Sequence, residues 1–176
     1  EPVPLMDAWF TATAATCVTG LVTHDTYTYW SSFGQAVLLV LIQIGGMGFM
    51  TIAISAMTLT RKKIGLSKRL LMQESVGAPQ VAGVVRMSRL ILGGTVFFEG
   101  LGALLLSFYY IPRLGFGKGL YFSVFHSISA FCNAGIDILG STSFIQYAGS
   151  PLVNFTTMFL IVMGGLGFPV WHAGPT

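Results

Sequence analysis

Three long stretches of this 176-residue chain carry almost no charged side chain. Residues 26–60 contain no Asp, Glu, Lys or Arg, and residues 90–112 and 119–176 contain one acidic residue each, Glu99 and Asp137. With 9% charged residues, the chain falls far below the roughly 25% of soluble domains. A helix needs roughly 20 apolar residues to cross a bilayer core of about 30 Å. The candidate spanning segments are residues 33–60, 90–111 and 152–171.

Basic residues concentrate between the first two candidate segments. Seven of the nine Lys and Arg residues lie within residues 61–89. Because positive charge marks the cytoplasmic side of membrane helices, we predict that this loop is cytoplasmic in a multi-pass cell-membrane protein. The pI of about 9.0 then reflects a membrane protein rather than a nucleic-acid-binding one. Asp25 and Asp137 fall on the outer side, where they either attract cations or serve only as solvated surface acids.

An internal repeat divides the chain. Residues 10–20 match residues 125–135 at four of eleven positions, and both copies end in Cys-x-x-Gly. Further along, Gly-Gly-x-Gly-Phe occurs at residues 45–49 and again at residues 164–168. Repeats of this kind in membrane proteins indicate duplicated folding units around a shared pathway.

The segments before the two Cys-x-x-Gly motifs are semi-polar and short. Residues 6–16 and 121–131 would each form a helix of roughly 16 Å, too short to cross a bilayer. Asp7 is predicted to cap the first of these helices, just after Pro4. A helix that enters the membrane and returns needs protein or water around its non-helical return. The sequence therefore predicts an all-α membrane protein of helix–pore loop–helix repeats with re-entrant pore helices; a packed hairpin without a transport role is the alternative.

A re-entrant helix would direct the negative end of its dipole into the membrane. The extended residues that follow could offer backbone carbonyl oxygens, which replace the hydration shell of a potassium ion in known filters. Glycine permits the backbone geometry that such an arrangement needs, and the lack of a carboxylate cluster favours K⁺ over Mg²⁺ or Ca²⁺. The predicted filter residues are Cys17, Val18, Thr19, Gly20, Cys132, Asn133, Ala134 and Gly135.

The paired Cys-x-x-Gly and Gly-Gly-x-Gly-Phe motifs resemble those of the Trk/Ktr/HKT superfamily of potassium transporters. The basic segment Arg61-Lys-Lys-Ile-Gly-Leu-Ser-Lys-Arg69 is similar to that of its Ktr-type membrane subunit. The resemblance implies four pore units around one pore, potassium uptake with or without sodium coupling, a homodimer, and a cytoplasmic nucleotide-binding ring that docks below, with residues 61–89 as part of that contact. It also implies that Gly20 favours potassium.

Four regions follow from these motifs. We expect residues 1–60 to hold the pore loop and second helix of a first unit without its leading helix. Residues 61–89 are then the basic loop, residues 90–171 a second unit with both helices, and residues 172–176 a tail that matches no motif.

Several residues have two interpretations. The glycines of the two Gly-Gly-x-Gly motifs either let helices pack closely or act as hinges near the pore. Glu99 and His126 are predicted to support the pore loops by hydrogen bonds, with proton coupling as the alternative for Glu99. The candidate hinge residues are Gly45, Gly46, Gly48, Gly164, Gly165 and Gly167.

The sequence contains little that supports other classes of function. No hydrolase or phosphate-binding motif occurs, so we predict that the chain is not an enzyme and needs no cofactor beyond K⁺, and Na⁺ if uptake is coupled. Its three histidines are too dispersed for a transition-metal site. The alternative to a transporter is a non-conducting membrane subunit with a structural or assembly role.

Overall fold

The computed structural model describes residues 4–48 and 81–166, with side chains for 4–48 and 90–166. All regular secondary structure in these residues is helical, which confirms the all-α prediction. Two compact units form, Glu1–Gly46 with Phe97–Thr176, and Met47–Val96. The helices are α1 (Leu5–Thr16), α2 (Thr26–Tyr29), α3 (Ser32–Met47), α4 (Val81–Leu114), α5 (Phe116–Phe131) and α6 (Pro151–Gly165), with a 3₁₀ helix at Ser143–Tyr147.

Helix α4 contains a segment long and apolar enough to cross a membrane. This segment, Leu90–Leu114, has 25 residues, and an 18-residue window within it has a mean hydropathy of 1.8. The helix itself begins at Val81, so residues 81–89, predicted as the end of the basic loop, are helical. Arginine is a good helix former, and a charged residue can mark a membrane boundary without ending a helix. Residues 61–80 lie outside the described part of the chain.

The other two candidate spans are shorter than predicted where the structure describes them. Helix α3 has 16 residues and ends at Met47, well inside the predicted span 33–60. Gly48 follows with a φ of +77°, a left-handed conformation that ends helices. Helix α6 has 15 residues, and residues 49–60 and 167–171 of the predicted spans lie outside the described residues.

The cap predicted for α1 is wrong. Pro4 precedes the helix and Asp7 lies inside its first turn, where no side chain caps the helix. Instead, Asp7 Oδ2 lies 3.1 Å from His24 Nε2. This contact joins the first turn of α1 to residue 24, which lies between α1 and α2. Asp25 caps α2, because its Oδ1 accepts a hydrogen bond from Tyr27 N at 2.8 Å.

Helices α4 and α5 meet in a tight turn. Gly115 has a φ of +82° between them, and α5 begins at Phe116, five residues before the predicted start. A Cβ on Gly119 would lie 2.7 Å from the backbone of Ile111, so the two helices approach each other closely there. Most residues of α5 are buried, and Tyr110 of α4 and Phe125 of α5 are fully buried in the core.

Gln35 joins the two copies of the repeat. Its Nε2 donates to the carbonyl oxygens of Thr26, Tyr27 and Trp30 at 3.0–3.2 Å, and its Oε1 accepts from the hydroxyl of Tyr121 at 3.0 Å. Both ends of the buried amide are therefore satisfied, which a polar group in an apolar interior requires. Helix α3 of the first copy is thereby fixed to α5 of the second.

The glycine motifs are sites of close backbone contact. A Cβ on Gly45 would collide with the carbonyl oxygen of Thr16, the last residue of α1, and one on Gly164 would collide with that of Phe131, the last residue of α5. A Cβ on Gly46 would collide with the side chain of Cys132. These three glycines therefore allow helices to pack against the ends of α1 and α5.

The remaining glycines of these motifs are less confined. Among residues 4–48 and 81–166, no neighbouring atom lies within 4 Å of a Cβ on Gly48, and a Cβ on Gly165 would be 3.7 Å from Asn133 Nδ2. Both remain candidate hinges, whereas Gly167 lies outside the described residues.

Substituting neighbouring glycines should have opposite effects on stability. Gly164→Ala forces a methyl group against the Phe131 carbonyl, so we expect a loss of about 1–3 kcal/mol in unfolding free energy. Gly165→Ala is the matched control, since it has ordinary contact distances and gains up to about 1 kcal/mol of helix propensity. Thermal unfolding of the full-length protein in detergent measures both. Equal melting temperatures for the two variants would contradict the packing role.

Candidate functional site

The loops that follow α1 and α5 share one backbone structure. We call residues 17–20 the first loop and residues 132–135 the second loop. In the first, Thr19 N donates to Ala14 O at 3.0 Å and Val18 N donates to Ala15 O at 3.3 Å, which is the pair of bonds of a Schellman motif. The second loop repeats both bonds, from Ala134 N to Ser129 O at 2.8 Å and from Asn133 N to Ala130 O at 3.1 Å.

Each loop turns through the left-handed region twice. Val18 and Asn133 have φ values of 56° and 58°, and Gly20 and Gly135 have 74° and 67°. Asparagine tolerates this conformation, whereas for β-branched valine it is a strained one. Two matched pairs of unusual torsions, 115 residues apart, show that the repeat seen in the sequence is also a structural repeat.

The two loops touch at their glycines. A Cβ on Gly20 would lie 2.9 Å from Ala134 O and 3.4 Å from Gly135 Cα, and one on Gly135 would lie 3.5 Å from Gly20 Cα. Any side chain at Gly20 would therefore press on the backbone of the other loop. The structure thus brings the eight predicted filter residues together in one place.

The carbonyl groups of the two loops, residues 17–20 and 132–135, accept no hydrogen bond from the described residues. Both loops also follow the C-terminal ends of helices, which carry about half a negative charge each. Carbonyl oxygens and helix C-termini both carry partial negative charge, and the structure places them next to each other.

His126 holds the chain that leaves the second loop. Its Nδ1 lies 2.6 Å from Phe122 O, and its Nε2 lies 3.3 Å from Ile138 N. Since a carbonyl only accepts and a backbone N–H only donates, the ring is neutral, with its proton on Nδ1. His126 thus donates a hydrogen bond within α5 and accepts one from residue 138, three positions beyond Gly135. Its support of the pore loop stays a prediction.

Glu99 lies behind the second loop. Its carboxylate accepts two hydrogen bonds from Gln43 Nε2, at 2.9 and 3.1 Å, and Cys132 Sγ lies 3.8 Å from its Oε1. Its backbone carbonyl accepts a bond from Ser127 Oγ at 2.6 Å. Glu99 is thus in contact with a loop residue, the helix before that loop and α3 of the other copy.

The first loop lacks this polar support. The position that corresponds to His126 in the repeat is Thr11, a buried residue whose hydroxyl has no partner among the described residues. Cys17 is exposed, whereas its counterpart Cys132 is buried. The two loops therefore share a backbone structure but not the side chains that hold it.

Asp25 and Asp137, which the sequence predicts on the outer side, both accept hydrogen bonds. Asp25 caps α2, as described above, and Asp137 accepts hydrogen bonds from Leu139 N at 2.9 Å and from the hydroxyl of Ser143. Asp137 also lines a cavity of about 270 Å³ beside the second loop, together with Asn133 and Thr157.

Sequence reasoning missed two glutamines of α3. Gln35 and Gln43 lie eight residues apart in a charge-free stretch, and each binds a residue of the second copy. The sequence did contain a signal, because polar side chains in an apolar helix must find hydrogen-bond partners. A spacing of eight residues also places the two glutamines on similar sides of the helix. The partners themselves could not be read from the sequence.

Comparison with known proteins gives consistent matches over almost the whole chain. Residues 1–173 match the family model of the TrkH cation transport proteins. Ktr system potassium uptake protein B of Bacillus subtilis is 44% identical over 170 residues, which cover 97% of this chain and 38% of that protein.

Two further relatives give the same result. Potassium/sodium uptake protein NtpJ of Enterococcus hirae is 42% identical over 172 residues, 98% of this chain and 38% of that protein. Ktr system potassium uptake protein B of Vibrio alginolyticus is 36% identical over 166 residues, 94% of this chain and 36% of that protein. The chain thus spans 36–38% of the length of these curated relatives. The long apolar helix and these matches identify a membrane protein, and the chain belongs to the TrkH family of cation transport proteins.

Proposed function

We propose that this chain contributes two pore loops to a potassium-uptake protein, with the carbonyl oxygens of residues 17–20 and 132–135 lining part of a selectivity filter. The pair of loops carries this proposal. They have matching turns, meet at Gly20 and Gly135, and have carbonyl oxygens that accept no hydrogen bond from the described residues. The printed names of the relatives, which specify potassium or potassium and sodium uptake, support it.

The chemistry of the loops suits a monovalent cation. Neutral carbonyl oxygens can replace the water around K⁺ without binding it so tightly that it cannot leave. Mg²⁺ and Ca²⁺ are normally held by carboxylates, and neither loop contains one. The negative ends of α1 and α5 add attraction for a cation without adding a fixed charge.

The membrane arrangement follows from lengths and charge. With 12 residues, α1 is roughly 18 Å long, and we infer that it and α5 enter the membrane from outside and return through their loops. The segment Leu90–Leu114 would cross the bilayer of the cell membrane, and the basic residues at 61–89 would lie in the cytoplasm. Residues 1–60 and 90–171 would then belong to two successive pore units of a multi-pass protein.

Partners and coupling follow from the resemblance. A homodimer and a cytoplasmic nucleotide-binding ring fit relatives whose printed names place them in a Ktr system. Sodium coupling fits the relative named for both potassium and sodium uptake.

Potassium-dependent growth of an uptake-deficient strain that expresses the full-length protein tests the proposal. Gly20→Ser and Gly135→Ser should each reduce the ratio of rubidium to sodium influx by about tenfold, since both add a side chain to a left-handed residue where the loops touch. Gly117→Ser is the matched control, because no atom lies within 4 Å of a Cβ at that position.

The outcome separates a transporter from a structural subunit. Growth rescue that depends on both loop glycines supports the filter. No rescue by a folded, membrane-inserted protein favours the non-conducting role, and rescue with unchanged ion selectivity in both variants would place the filter elsewhere.

His126 provides a second test of the loop geometry. His126→Phe keeps a ring but removes both hydrogen bonds, so we expect a lower ratio of rubidium to sodium influx, by about threefold. His126→Gln can still accept from Ile138 N and should recover part of the selectivity. Wild-type selectivity in the Phe variant would show that His126 contributes only packing and that its hydrogen bonds are not needed.

A further inference from the structure

Glu99 is a buried carboxylate without a basic partner. It is 9% exposed, and no Lys, Arg or His side chain in the described residues forms an ion pair with it. Removing a carboxylate from water without a countercharge is costly, and ionisable groups at membrane depth normally serve a function.

The contacts of Glu99 fit its ionised form. Gln43 Nε2 donates to both carboxylate oxygens, and the thiol of Cys132 lies beside one of them. With the Gln43 amide in this orientation, a protonated carboxyl group would lack an acceptor, because an amide nitrogen is not one. Gln43 Nε2 thus lies within hydrogen-bond distance of both carboxylate oxygens, while Gln43 Oε1 has no partner among the described residues.

A charge at this place would act on ions in the second loop. Cys132 is the first residue of that loop, and its sulfur lies 3.8 Å from Glu99 Oε1. Away from bulk water, electrostatic interactions are strong and salt does not screen them well. A cation held by the loop carbonyls would therefore supply the countercharge that the surrounding side chains do not.

We propose that the Glu99 carboxylate is an electrostatic determinant of cation affinity in the second loop, and that Gln43 is the residue that positions it. The proposal rests on the proposed function of the loop. It gives Glu99 a role beyond mechanical support, since the charge and not only the hydrogen bonds would matter. It also assigns a role to Gln43, which reaches Glu99 from the other copy of the repeat.

The test measures rubidium influx into proteoliposomes that contain the full-length protein, with KM and maximal rate determined separately. Glu99→Gln keeps the shape and removes the charge, so KM should rise by about tenfold with little change in maximal rate. Glu99→Asp keeps the charge and should retain most of the affinity. Gln43→Met removes the amide and should raise KM by about threefold.

A double variant tests whether Gln43 acts through Glu99. If it does, Glu99→Gln with Gln43→Met should have the same KM as Glu99→Gln alone, because the carboxylate that Gln43 positions is already gone. Additive effects would overturn the positioning role.

A surface carboxylate provides the matched control. Asp25→Asn makes the same change of charge, and Asn also caps helices, so α2 should be preserved. In water, salt screens this charge, and KM should change by less than about twofold at physiological ionic strength. The effect of Glu99→Gln should persist at high ionic strength.

Each result decides the proposal. An unchanged KM in Glu99→Gln, or a loss of maximal rate alone, would show that the residue is only structural. If Glu99→Gln yields no folded protein, the KM of Gln43→Met is the deciding measurement, and an unchanged KM in that variant would overturn the proposal. Failure of the wild-type protein to carry rubidium would overturn the proposed function itself, whereas wild-type influx with unchanged KM in the variants overturns only this inference.

Discussion

The close approach of a helix backbone to the end of another helix is the constraint on which the rest of the structure depends. In each copy of the repeat, a glycine of the helix after the loop lies against the last carbonyl group of the helix before the loop, at Gly45 and Thr16 and at Gly164 and Phe131. Because only glycine leaves room for this contact, the position of each loop is set by backbone against backbone. Polar side chains then adjust loops whose place is already fixed.

The side chains that contact the loop differ between the two copies of the repeat. The second loop is held by His126, Glu99 and Ser127. The first has a strained Val18 and a Thr11 hydroxyl that finds no partner in the described ranges 4–48 and 81–166. Duplication thus preserved the turn and the helix contact, while the side chains around them diverged. Two glutamines of α3 link the copies, so the less supported first half is attached to the more supported second half.

Much of this architecture could be predicted from the sequence, and the limits have physical causes. The repeated Cys-x-x-Gly motif located both loops, since glycine at a left-handed position leaves a local signal. The start of α4 was misplaced because basic residues mark a membrane boundary without breaking a helix. Asp7 was expected to be a cap, but a nearby histidine seventeen residues later binds it instead. The contacts of Gln43 and Glu99, 56 residues apart, arise from packing that no local pattern encodes.

Contact between Gly20 and Gly135 has a consequence for how such a protein can change over time. The backbone of each loop packs against the backbone of the other, so a substitution in one loop also affects the other loop. A change that enlarges one turn must be matched across the contact or be rejected. The contact between Gly20 and Gly135 therefore favours sequences in which both loops keep the same backbone turn.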